Sequence, residues 1–160
     1  MKRIVAAVAL VFLAAAGCAT TSSAPPKSIQ PTAGFAGYKW SVVAVDHAGK
    51  ATPIPARYAV YLQFAPNGQF GANDPVNYHF GSYRQAGDGF TTSGIVVSAV
   101  GYAGHDPVVL LAINAISAFD NGVHATATVT GDRLVVMVPG YALTCRRDAA
   151  QANFPPAKPT

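Results

Sequence analysis

The 160-residue sequence has no glutamate, and its seven aspartates are its only acidic side chains. Charged residues make up 11% of it, against about 25% in an average globular protein. Catalysis by paired carboxylates and carboxylate-rich cation sites therefore start at a disadvantage. The cysteines Cys18 and Cys145 and the histidines His47, His79, His105 and His124 show no Cys-x-x-Cys or His-x-x-x-His spacing, so no metal site is expected. No Gly-x-Ser-x-Gly places a serine on a strained elbow. A formal net charge of +4 is too small for a nucleic-acid binder. No cofactor is expected either: Gly87-Asp88-Gly89 and Gly101-Tyr102-Ala103-Gly104 lack a phosphate-loop context and read as turns. The unbroken apolar stretch over residues 4–16 falls short of the roughly 20 residues that cross a bilayer.

That stretch supplies much of the excess in the 51% apolar content, and the rest of the chain has an ordinary globular composition. Lys2 and Arg3 precede it and small residues follow, the layout of a signal peptide over residues 1–17. Its end, Ala15-Ala16-Gly17-Cys18, resembles the lipobox of bacterial lipoproteins. The resemblance implies a diacylglyceryl group on the Cys18 thiol, cleavage before Cys18, and acylation of the new amine by a fatty acid such as palmitate. Two or more acyl chains hold a protein firmly on a membrane where one does not. Ala19, in place of Asp, resembles lipoproteins passed to an outer membrane. The expected location is therefore the cell envelope, on the outer membrane facing the periplasm. The alternative is a secreted protein in which Cys18 is incidental.

Residues 18–36 then read as the acylated cysteine and a flexible tether, rich in Thr, Ser and Pro and poor in large apolar groups. Residues 148–160, with Pro155, Pro156 and Pro159, read as a disordered tail, which leaves residues 37–147 as one domain with one core. Residues 38–45 are β-branched and aromatic and stop at Asp46-His47-Ala48-Gly49. Residues 57–64 alternate, with Tyr58, Val60, Leu62 and Phe64 on one face, until Pro66-Asn67-Gly68 turns the chain. Residues 69–73, 78–85 and 90–100 continue as strands. Asp106 as N-cap and Pro107 at N1 start a helix with Val108, Leu111, Ala112, Ala115 and Phe119 at helical spacing, and Asp120-Asn121-Gly122 stops it. Residues 122–130 and 133–138 form a second hairpin, and residues 141–145 close the fold. The expected fold is mainly antiparallel β: six to eight strands in a partly closed, barrel-like meander with one packed α-helix, at the border of the α+β class.

The run Asn77-Tyr78-His79-Phe80-Gly81-Ser82-Tyr83, followed by Gly87-Asp88-Gly89-Phe90, resembles the signature of the META domain, a heat-shock-lipoprotein-like family. Trp40, Phe64 before the Asn67-Gly68 turn, a helix, and Gly131-Asp132-Arg133-Leu134 stand where that family's other features are expected, so the resemblance spans most of residues 37–140. The chain departs from the pattern at Pro75-Val76, where Gly-Cys is usual, and near Tyr102, where a second Cys is familiar. Both members of that cysteine pair are absent together. His79 stands where an aromatic is usual. The resemblance implies a small β-rich envelope module with a general association with stress and no catalytic residues to carry over.

Asp46, Asp74, Asp88, Asp106, Asp120 and Asp132 each stand beside Gly, Pro, Asn or His in an expected turn or cap, and Asp148 lies in the tail. By alternation His79 shares a strand face with Tyr83 and lies near Asn77, so His79 is either a partly buried residue at the barrel rim or, with Asn77 and Tyr83, part of a candidate interaction patch. A hydrolase using His79 and Tyr83 is the least favoured reading. Cys145 is a lone thiol once Cys18 is acylated. Arg146 and Arg147 could make it a reactive thiolate, or alternation buries it on the face of Leu143 and Tyr141. The expected function is that of a lipid-anchored envelope protein, not an enzyme, with a binding, structural or stress-related accessory role. The alternative is a carrier of a small apolar ligand in a barrel cavity. Expected partners are the membrane, through the N-terminal lipid, and an envelope protein or small ligand, with the chain itself a monomer.

Overall fold

Turn-forming residues divide residues 34–151, the part of the chain that the computed structural model describes, into nine strands and one α-helix. The expected signal peptide, Cys18 and most of the tether lie outside the described residues, as does the end of the tail. β1 (Tyr38–His47) turns through Ala48-Gly49 into β2 (Lys50–Pro53), a short arm paired with the end of β1. A 3-10 turn (Ala56–Tyr58) leads to β3 (Tyr61–Phe64), β4 (Gln69–Asn73), β5 (Tyr78–Ala86) and β6 (Gly89–Val97). The helix α1 (Pro107–Ser117) then precedes β7 (His124–Thr130), β8 (Arg133–Val138) and β9 (Tyr141–Gln151). Every pairing is antiparallel, and β9 returns to β1 from Trp40 opposite Arg147 to His47 opposite Tyr141. β1 and β3 to β9 thus form a closed eight-stranded barrel, which removes the edges an open meander would leave.

Alternation along these strands fills the interior. Trp40, Leu62, Phe64, Phe70, Phe90, Leu134 and Leu143 are fully buried. Around Phe64 the rings of Phe35, Phe90, Tyr83 and Phe70 lie 4.8, 4.9, 5.3 and 5.5 Å away. Burying side chains of this size stabilises a fold by about 1.5–3 kcal/mol each. Asp106 caps α1 by accepting from the Val108 and Val109 amides at 2.8 and 3.4 Å. The helix buries Val109, Ala112, Ala115 and Ile116, while Phe119, just past its end, stacks on Phe90 at 6.2 Å. Val108 and Leu111 pack at the edge of this face, so the buried stripe is turned slightly from the expected one. At the β6–β7 crossing a side chain on Gly89 would overlap the Ala125 carbonyl, which reserves that position for glycine.

Three boundaries differ from expectation, each for a local reason. Arg57 and Tyr58 sit in the 3-10 turn and Ala59 takes a left-handed backbone (φ 50), so β3 starts at Tyr61. β6 ends at Val97 because Ala99 is left-handed (φ 54) and Val100 finds its backbone partners on the Asn77 side chain. The domain also exceeds residues 37–147. Phe35 and Ala36 are buried, with the Trp40 indole donating to the Phe35 carbonyl at 2.8 Å, and pairing with β1 carries β9 to Gln151.

Candidate functional site

The buried polar residues Asp74, Asn77 and His79 gather at the β4–β5 connection, and Asp74 organises them. Its Oδ1 accepts from the Val76 and Asn77 amides at 2.7 and 2.6 Å, an Asx turn that Pro75 suits because it has no amide to place. Its Oδ2 faces His79 Nε2 at 3.0 Å, with Asp74 1% and His79 2% exposed. A carboxylate only accepts, so Nε2 carries the proton and donates. Asn77 extends the network: Oδ1 accepts from the Ser98 hydroxyl at 3.1 Å and from the Val100 amide, and Nδ2 donates to the Val100 carbonyl at 3.1 Å. Asn77 thereby ties the β4–β5 turn, which Asp74 and His79 brace, to the segment that leaves β6.

Chemically, an Asp–His pair with an idle ring nitrogen is the arrangement that orients a general base. Among the described residues nothing bonds His79 Nδ1, but its burial leaves that nitrogen no path to a substrate. Tyr83 lies on the same inner face yet does not join the network. Its hydroxyl donates to the Ala65 carbonyl at 2.8 Å, its ring packs with Phe35, Phe64 and Phe90, and burial pushes it up to about 12. The candidate interaction patch of Asn77, His79 and Tyr83 is therefore interior, and His79 is a buried histidine. Alternation placed His79 and Tyr83 on one face correctly, but closure of the barrel covers that face. The His79/Tyr83 hydrolase pair is not assembled.

Cys145 takes the buried one of its two expected states, and the reactive-thiol alternative falls. Burial pushes its thiol up to about 12, and its strand partners are Val42 and Leu134. The neighbouring arginines point elsewhere: Arg146 is exposed, and the Arg147 guanidinium lies 4.1 Å from the Tyr38 ring centre and 5.1 Å from that of Trp40. Burial therefore outweighs any help to the thiolate.

Two features escaped the sequence. One is Asp74 as the partner of His79, for which an Asp five residues before a His gives only a faint signal. The other lies outside the barrel, where Val43, Asp132, Arg133, Thr144 and Arg146 line a cleft of about 340 Å³. A second cleft, about 210 Å³, lies beside Phe35, Gly89 and Val129. Among the described residues, no three His, Cys or Asp side chains converge as metal ligands.

No protein-family model matches the chain, and no curated protein matches its sequence. Solved structures do share its fold. An NMR structure of a protein from Burkholderia xenovorans matches with a TM-score of 0.55 and 14% identity, over 72% of this chain and 85% of its own. A second NMR structure matches with a TM-score of 0.53 and 16% identity, over 69% of this chain and 88% of its own. The class is thus a closed, mainly antiparallel β-barrel with one helix. At these identities the likeness concerns the fold alone.

Proposed function

We propose that this chain is a lipid-anchored cell-envelope protein whose META-like barrel acts by binding, or as a structural or stress-related accessory, and not by catalysis. The observation that carries the proposal is the N-terminus: Lys2 and Arg3, the apolar run over residues 4–16, and the lipobox-like Ala15-Ala16-Gly17-Cys18. Residues 19–33 would hold the barrel up to about 50 Å from an acylated Cys18. Among the described residues no helix is long and apolar enough to cross a membrane, and the anchor supplies the attachment. The proposed site is the outer membrane facing the periplasm, with the protein a monomer.

The non-catalytic reading is supported by the fate of the candidate residues: His79 and Asp74 are spent inside the fold, Tyr83 is part of the core, and Cys145 is protonated and buried. A carrier of a small apolar ligand is the second reading, which the barrel architecture permits. The rings around Phe64 fill the centre, so such a ligand would have to enter beside Phe35, next to the cleft there. The test of the anchor is Cys18→Ala in the native host. The expected outcome is loss of the protein from the membrane fraction, whereas full retention would remove acylation at Cys18 as the means of attachment.

A further inference from the structure

The outer wall of the barrel carries an arrangement that folding alone does not favour. Arg133 on β8 stands directly opposite Arg146 on β9, and both are exposed on the outer face. Like charges directly opposite each other on neighbouring strands destabilise a sheet. All seven aspartates of the sequence lie within the described residues, yet none forms an ion pair with either guanidinium. Asp148 pairs with Lys39 at 3.8 Å, and Asp132 lines the same cleft with its carboxylate in no ion pair with an arginine. In a chain with so little charge, two facing and unpaired arginines are a costly placement.

The cross-strand register places further donors beside them. Thr130 of β7 stands opposite Arg133, and Ser41 of β1 stands opposite Arg146. The row thus runs hydroxyl, guanidinium, guanidinium, hydroxyl across four adjacent strands. Thr144 sits one step along, its hydroxyl 3.5 Å from Arg133 Nη2, and Val43 gives the cleft an apolar wall. The guanidinium is a planar fork of donors that matches the oxygens of a phosphate in pairs. Two arginines and one aspartate leave about one net positive charge, which suits a singly charged phosphate ester, and the cleft volume is that of a small-ligand site.

We infer that Arg133, Arg146 and Thr144 form a binding site for a phosphoryl group on the outer face of the barrel. A bound phosphate supplies the countercharge that the fold withholds. The phosphate comes either from a lipid headgroup or from a free phosphate in solution. The inference rests on the described domain and holds whether or not Cys18 is acylated.

The test is titration calorimetry with thermal unfolding of the full chain, using inorganic phosphate and monomeric dihexanoyl phosphatidylglycerol against chloride of equal ionic strength. Wild type is expected to bind at least one probe saturably, with a matching rise in Tm. Saturation by the lipid at a tenfold lower concentration assigns the site to a headgroup, and saturation by phosphate at equal or lower concentration assigns it to free phosphate. The double variant Arg133→Gln, Arg146→Gln is expected to lose at least tenfold in affinity while its own Tm without probe stays equal or rises, as relief of repulsion requires. Arg146→Lys keeps the charge and removes the fork, so it gives a second measure of the same loss if the double variant does not fold. Absence of saturable binding to both probes, or binding undiminished in the variants, overturns the inference.

Discussion

Asp74 is fully employed: two backbone amides on Oδ1 and the His79 ring on Oδ2, all shielded from water. Buried donors that lose their acceptor cost more than the bond itself was worth. Asp74→Ala is therefore expected to destabilise the domain by about 3–5 kcal/mol, measured by urea unfolding, with no comparable loss for substitutions of exposed Asp88. Cys145 gives a second test at this scale. Its folded value, about 12, lies above its ordinary 9.0 because burial disfavours the thiolate. A raised value means that its contribution is intact below pH 9 and declines as pH rises toward 12. Unfolding midpoints should thus fall across pH 9 to 11, less steeply in Cys145→Ala, and the native thiol should resist labelling at pH 8 until the protein is unfolded. Sequence alternation already put Cys145 on the face of Leu143. It could not reveal the second oxygen of Asp74, because that bond exists only once β5 turns His79 inward beneath a closed wall.

At the scale of elements, Asp106 joins two of them. One oxygen caps α1, and the other accepts from the Tyr58 hydroxyl in the 3-10 turn 48 residues earlier. The Tyr58 hydroxyl first, and the Val108 amide next, hold its carboxyl below the ordinary 3.8. A lowered value means stability that is present above about pH 4 and is lost as pH falls through the folded value. Asp106→Ala should lower Tm at pH 7, and the gap to wild type should close as the pH drops below 4, while Tyr58→Phe should reproduce part of the effect. The helix start was readable because Asp-Pro followed by apolar spacing is a local code. The Pro66-Asn67-Gly68 turn was readable for the same reason: Gly68 takes φ +87, and its carbonyl accepts from the Tyr83 amide at 2.7 Å. The start of β3 was not, since a left-handed alanine at position 59 has no sequence mark, and neither was the side-chain substitute for a strand at Val100.

For the whole molecule, the strand count and alternation implied a barrel, whereas its closure depends on β9 finding β1 from the other end of the domain. That pairing also recruits residues 148–151, whose composition reads as tail. The Arg133–Arg146 pairing belongs to the same category, because it appears only when the β8–β9 register is known. The inward faces of these strands are committed to packing, which leaves the outer wall for the proposed phosphoryl contact and Cys18 for the proposed lipid. The proposed META likeness and envelope location rest on sequence features, and the proposed acylation of Cys18 is the feature on which the role depends. Intact-mass and N-terminal peptide mass spectrometry of the protein extracted from its host's membranes tests that feature most directly. The expected mature chain begins at Cys18 and carries a diacylglyceryl group and an amide-linked fatty acid. A mature chain that begins elsewhere, or that begins at Cys18 without lipid, would rule out the proposed lipid anchor.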